Sequence, residues 1–81
     1  MGRWGGIMDF DHSREAIGRR IMAHRIQHGY TRTQLGMMLG YSATTSPVIV
    51  WKWETADKPV PNYVIRQLSD ILKIPIDLLL P

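Results

Sequence analysis

The chain has no cysteine, so neither a disulfide framework nor a thiolate metal site is available, which suits a cytoplasmic protein. No apolar run approaches the length of a membrane span. The first ten residues, with Gly2, Gly5, Gly6 and Asp9 among them, lack the basic-then-apolar order of a secretory signal. There is no internal repeat and no low-complexity linker. No Gly-rich phosphate loop, Ser-His-Asp set or paired carboxylates stand out, so an enzyme is not expected. Acidic residues are also few: seven against ten Lys and Arg, for a net charge of +3 and a pI of about 9.7. That balance tolerates a polyanionic partner without demanding one.

What is present suggests one small helical domain. Its 81 residues lie near the lower limit for a self-sufficient core, and 44 % hydrophobic residues are too many for a disordered chain. Residues 1–12 read as a flexible tail, with Met8 an alternative native start, and residues 13–81 as the folded domain. Ser13 is a candidate N-cap for a first helix with Ile17, Ile21 and His24 at helical spacing, ended by Gly29. Arg14, Arg19, Arg20 and Arg25 share this segment. A second helix is expected from Thr31 through Leu39, ending at Gly40. Ser46-Pro47 announces a third helix over 47–55, because proline at the first helical position gives up no hydrogen bond. Asp57 to Pro61 reads as a stiff loop. A fourth helix runs from about Asn62 with Val64, Ile65, Leu68, Ile71 and Leu72 as its stripe. Pro75 opens a short fifth helix with Ile76, Leu78, Leu79 and Leu80.

The order of residues in two stretches carries more. Arg25-Ile26-Gln27-His28-Gly29-Tyr30-Thr31 is followed by Arg32-Thr33-Gln34-Leu35-Gly36-Met37-Met38-Leu39-Gly40. Together with Ser46-Pro47-Val48-Ile49-Val50-Trp51-Lys52-Trp53-Glu54 and the run Leu68 to Leu79, this resembles the Cro/repressor helix-turn-helix family. The likeness covers roughly Arg14 to Leu80. It implies an all-α, compact five-helix domain of the lambda-repressor type that binds double-stranded DNA. It also implies a cytoplasmic transcription regulator, a repressor of prokaryotic or phage origin. A homodimer on a pseudo-palindromic operator, with half-sites about 10 base pairs apart, goes with it. No cofactor is implied.

Physical reasons can be given for individual residues. Gly36 falls where the second and third helices cross, Gly40 supplies a positive φ, and Leu35, Leu39, Val50 and Trp53 are apolar posts. The resemblance implies a partly buried Arg25–Glu54 ion pair joining the first and third helices. Two departures stand out. From Gly40 to Val50 the chain is longer than the family pattern by about four residues, and a standard turn would put Pro47 inside the third helix. An enlarged turn between helices 2 and 3 is therefore expected. Its hydroxyls on Ser42, Thr44, Thr45 and Ser46 either face phosphates or belong to a tolerated insertion. The second departure is Ala56, where the family commonly has Gly, so that Ala56 or Asp57 must take the turn.

The resemblance places Pro47, Val48 and Lys52 at base edges, with Ile49 and Trp51 at the flanks. Val48 suits a thymine methyl, and Lys52 suits guanine or a phosphate. The third helix holds no Gln, Asn or Arg, which leaves more of the recognition to DNA shape. Other readings of Val48, Ile49 and Trp51 are packing on the body or a patch for a protein partner, as in an antitoxin. Thr31, Arg32 and Thr33 at the second helix and Lys58 after the third suit the DNA backbone; Thr31 also caps. Arg19 and Arg20 can be a solvated face. His24 and His28 are four apart, yet with no Cys and few acids nearby no metal site is expected. The segment Leu72 to Leu80 either forms a dimer interface or closes the core.

Overall fold

The computed structural model describes residues 11–81, and among them every regular element is helical. The first helix, α1 (Arg14–Gln27), starts at Ser13, whose hydroxyl accepts the Ala16 N–H at 3.1 Å. The Asp11 carboxylate takes the Ser13 N–H at 2.8 Å. Hydrogen bonds from the Ser13 backbone and then its side chain hold the Asp11 carboxyl below its ordinary range. Residues 1–10 of the expected tail lie outside the described residues, as does Met8. The last two tail positions are not loose, because Asp11 caps Ser13 and His12 Nδ1 meets the Leu80 carbonyl at 2.8 Å. Gly29 closes α1 at φ +76, as a left-handed cap requires.

The second helix, α2 (Arg32–Met38), opens with a reciprocal cap. Thr31 Oγ1 accepts the Gln34 N–H at 3.0 Å, and Gln34 Oε1 accepts the Thr31 N–H at 2.8 Å. Gly40, at φ +98, then turns the chain, and the Tyr41 N–H returns to the Gly36 carbonyl at 3.0 Å.

The third helix, α3 (Thr45–Glu54), starts two residues ahead of the expected Pro47, after a connection of residues 39–44. Ser42 acts as the cap in fact: its hydroxyl accepts the Thr45 N–H at 3.1 Å, and its carbonyl accepts the Ser46 N–H at 2.9 Å. Thr44 already has helical angles, φ −73 and ψ −41. Part of the additional chain is therefore wound into the helix ahead of Val50, and residues 39–44 remain between α2 and α3. Pro47 is inside the first turns of this helix, not at its start. It is the third residue of the helix, where the missing N–H is one of the first-turn donors that have no intrahelical partner.

Ala56 takes the left-handed position after α3, at φ +64. A fourth helix, α4 (Asn62–Leu72), ends at Lys73, also left-handed at φ +58. The expected fifth helix is only a single 3-10 turn over Ile76–Leu78, too short for a ladder of α-type hydrogen bonds. No helix among the described residues is long and apolar enough to cross a membrane.

The core gathers Ile17 and Ile21 of α1, Leu35 of α2, Val50 and Trp53 of α3, and Val64, Ile65, Leu68 and Leu72 of α4. Leu39 and Ile74 join it from the connections. Leu79 closes it from the end of the chain, fully buried. Of the Leu72 to Leu80 segment, Leu72, Ile74 and Leu79 are thus spent on the chain's own interior, and Ile76 and Leu80 are exposed. Two glycines set how closely α3 is approached. A Cβ on Gly18 of α1 would stand against the Trp53 carbonyl and 2.8 Å from that of Glu54; one on Gly36 of α2 would collide with Ser46. These contacts leave no room for a methyl group.

Candidate nucleic-acid interface

The inner side of α3 is locked by four residues of unlike character. Ser46 is fully buried beneath Gly36, and its hydroxyl donates to the Ser42 carbonyl at 2.6 Å. Val50 and Trp53 enter the apolar core. Glu54, its side chain fully buried, receives Arg25 Nε at 2.6 Å and Arg25 Nη2 at 3.3 Å. Arg25 also donates through Nη1 to the Tyr30 carbonyl at 2.9 Å, which ties the turn after α1 to the same cluster. A buried carboxylate is sustained only when its charge and lone pairs are met, and two guanidinium donors meet them here.

The second guanidinium belongs to Arg32. Its Nε donates to Glu54 Oε1 at 2.9 Å, with about a third of the side chain exposed. Sequence reasoning assigned Arg32 to DNA phosphate. In the structure it is first of all the outer member of a three-residue ion cluster spanning α1, α2 and α3, with Glu54 at its centre. A Glu so placed could be paired with Arg25 from the motif, but nothing in the spacing pointed to Arg32 as the second partner.

The outer side of α3 is different. Thr44, Thr45, Val48, Trp51 and Thr55 are exposed, with Val48 at 52 % and Trp51 at 47 %. Positions 44, 48, 51 and 55 recur at helical spacing and form one stripe. Lys52 is half-buried at its border, and Pro47 and Ile49 are half-buried on the flanks. Ile49 packs on the core. The Thr55 hydroxyl is turned back to the Trp51 carbonyl at 2.8 Å.

The expected contact residues thus divide. Thr44, Thr45, Val48 and Trp51 share one exposed face, with Pro47 and Lys52 beside it. Ser46 does not belong there, because it is enclosed against Gly36. Ser42 spends its hydroxyl on the helix cap. Thr31 is exposed but occupied by capping, and Thr33 is half-buried. Lys58 is exposed in the loop after α3. It lines a cavity of about 260 Å³ with Arg14, Ile17, Trp53, Pro59 and Val60. That cavity lies on the Trp53 side of α3, roughly opposite Trp51.

Gly18 is the positioning residue that sequence reasoning passed over. A glycine in the middle of an otherwise ordinary helix was the available signal, since it costs helix stability unless something packs against it. Trp53 carries a second detail. Its indole Nε1 is buried without a hydrogen-bond partner, while its ring meets Tyr41 edge-on with centroids 5.9 Å apart. The Tyr41 hydroxyl lies 3.4 Å from that of Tyr63, and burial, then this neighbour, pushes it up to about 12.

The two histidines considered as metal ligands have carbonyl partners instead. His24 Nδ1 donates to the Arg20 carbonyl and His28 Nε2 to that of Leu72, both at 2.9 Å, and the His28 ring stacks on Tyr30. Arg20, read as solvent-facing, donates to the Leu78 carbonyl at 2.9 Å and pins the C-terminal turn. Arg19 is exposed. No protein-family model, curated protein or solved structure matches this chain.

Proposed function

We infer that the chain binds double-stranded DNA by laying the outer face of α3 in the major groove, as a transcription regulator of the Cro/repressor type. One observation carries the reading: α3 is held rigidly from behind by Gly36, Gly18 and the Arg25–Glu54–Arg32 cluster, while Val48 and Trp51 at the centre of its outer stripe stay exposed among the described residues. A helix that reads base edges must be presented in one geometry, and such bracing supplies it. The net charge of +3 supports the same reading. A single module this small makes few phosphate contacts, so the working species is a pair of copies on a two-fold site, repressing transcription by occupancy.

The second reading is a protein partner of the antitoxin type docking on α3. It is favoured by the apolar character of Val48 and Trp51. Salt separates the two readings. Fluorescence anisotropy with a labelled random-sequence duplex should give binding that weakens steeply between low and moderate salt. Lys52→Glu, at the border of the stripe, should abolish it without changing the helical circular dichroism. No binding at low salt would overturn the DNA reading in favour of a protein partner.

A further inference from the structure

We propose that α3 reads thymine through its 5-methyl group, using Val48 and Trp51, so that the preferred sites carry adjacent thymines. The proposal rests on the DNA reading above and adds what that face recognises. A base edge in the major groove offers hydrogen-bond donors, acceptors and a single apolar feature, the thymine methyl. The exposed stripe of α3 has no Arg, Asn or Gln with which to make a bidentate pair. Its one charged member, Lys52, is half-buried at the border. One of its hydroxyls, that of Thr55, is committed to the Trp51 carbonyl. The centre of the stripe is apolar and exposed: Val48 and Trp51, 52 % and 47 % accessible.

Their spacing fits a single step of the duplex. Residues three apart on one helix face are separated by about 4.5 Å along the axis. That is a little more than the roughly 3.4 Å between successive bases on a strand. One side chain can therefore cover each of two neighbouring methyl groups. The bracing of α3 from behind matters here, because an apolar contact has no directional hydrogen bond to hold its own register.

The test changes only the methyl group. Binding is measured by anisotropy on a duplex of an adenine strand paired with a thymine strand, which sets thymines next to one another, and on the same duplex with every thymine replaced by uracil. Pairing is unchanged and the methyls are gone. Burying one methyl corresponds to about four-fold in affinity, so a loss of about four- to fifteen-fold is expected. The reciprocal pair is a duplex of a guanine strand and a cytosine strand, the latter carrying cytosine or 5-methylcytosine, which puts adjacent methyls at the same place in the groove; methylation should tighten binding. In Val48→Ala both differences should shrink, with circular dichroism and melting unchanged. Salt-sensitive binding that is equal on thymine and uracil duplexes would overturn the methyl reading and leave DNA binding standing. Discrimination that survives intact in both Val48→Ala and Trp51→Ala would overturn the residue assignment. Failure to bind any of the four duplexes at low salt would overturn the DNA reading itself and return Val48 and Trp51 to a protein partner.

Discussion

Helices α3 and α4 are nearly equal in length and opposite in logic. α4 buries Val64, Ile65, Leu68 and Leu72 and exposes Tyr63, Arg66, Gln67 and Asp70. Its apolar residues lie on one side, as expected of a helix whose task is to cover a core. α3 buries a serine and a glutamate beside Val50 and Trp53, and exposes a valine and a tryptophan. Hydrophobicity alone would turn that arrangement round. Ser46 is inside because only a small side chain fits under Gly36, and Glu54 is inside because Arg25 and Arg32 neutralise it. The core accounts for every buried residue of α3 but gives no reason for Val48 and Trp51 to be apolar. That excess is what the functional reading explains.

The contrast can be broken most decisively at Glu54. Glu54→Ala leaves two arginines without their carboxylate, one of them buried, and should cost about 3–5 kcal/mol. Thermal melting followed by circular dichroism reads the loss, and an unchanged melting curve would show that the cluster contributes nothing to the inner face of α3. Next comes Ser46→Val, which on a hydrophobic scale improves the buried face. It should nevertheless destabilise by about 1–3 kcal/mol, because the added methyl groups have no space beneath Gly36. A rise in the urea midpoint would mean that α3 can move away from α2 and that the close crossing is not required.

The outer face should respond in the reverse sense. Val48→Ala and Trp51→Ala should each change stability by no more than about 0.5 kcal/mol, as exposed substitutions do, while weakening DNA binding several-fold. A large loss of stability in either would place these residues among those the fold itself needs.

The smallest effect lies at Tyr41, which borders α3 and α4. Its hydroxyl is held protonated up to about 12 by burial and by Tyr63. A raised value in the folded state means that the neutral phenol is favoured there. Its contribution is complete below pH 10, the ordinary value, and is lost as the pH rises from 10 towards 12. Urea midpoints compared across that window should fall less for Tyr41→Phe than for the parent chain. Equal slopes would remove Tyr41 from the account.

Much of the scaffold was legible because its signals are local. Ser13, Thr31, Gly29 and Gly40 act on the residues next to them, so their caps and turns could be located from the chain alone. The stripe of α4 was equally clear, since a helix facing one core has one period. Ala56 was named as one of two residues that had to adopt the left-handed turn, and it does so at φ +64. The errors lay where the local cue had more than one structural outcome. Ser46-Pro47 looks like a helix start, yet Ser42 caps earlier and the proline is carried inside the helix. The leucines near the C-terminus offered an interface or a lid; Leu72 and Leu79 are buried in the chain's own core, and Ile76 and Leu80 of the same segment stay exposed.

The candidate site was legible as a set of residues but not as a surface. Thr44, Thr45, Val48 and Trp51 are outside, Ser46 is not, and Arg32 is claimed by Glu54. Amino-acid order by itself determined the all-helical character, most of the caps and turns and the stripe of α4, because each depends on hydrogen bonds or periodicity within a few residues. Tertiary structure alone decided which side of α3 is inside. That choice depends on the Gly18 and Gly36 contacts and on an ion cluster drawn from three helices, and side chains far apart in the chain set its energy.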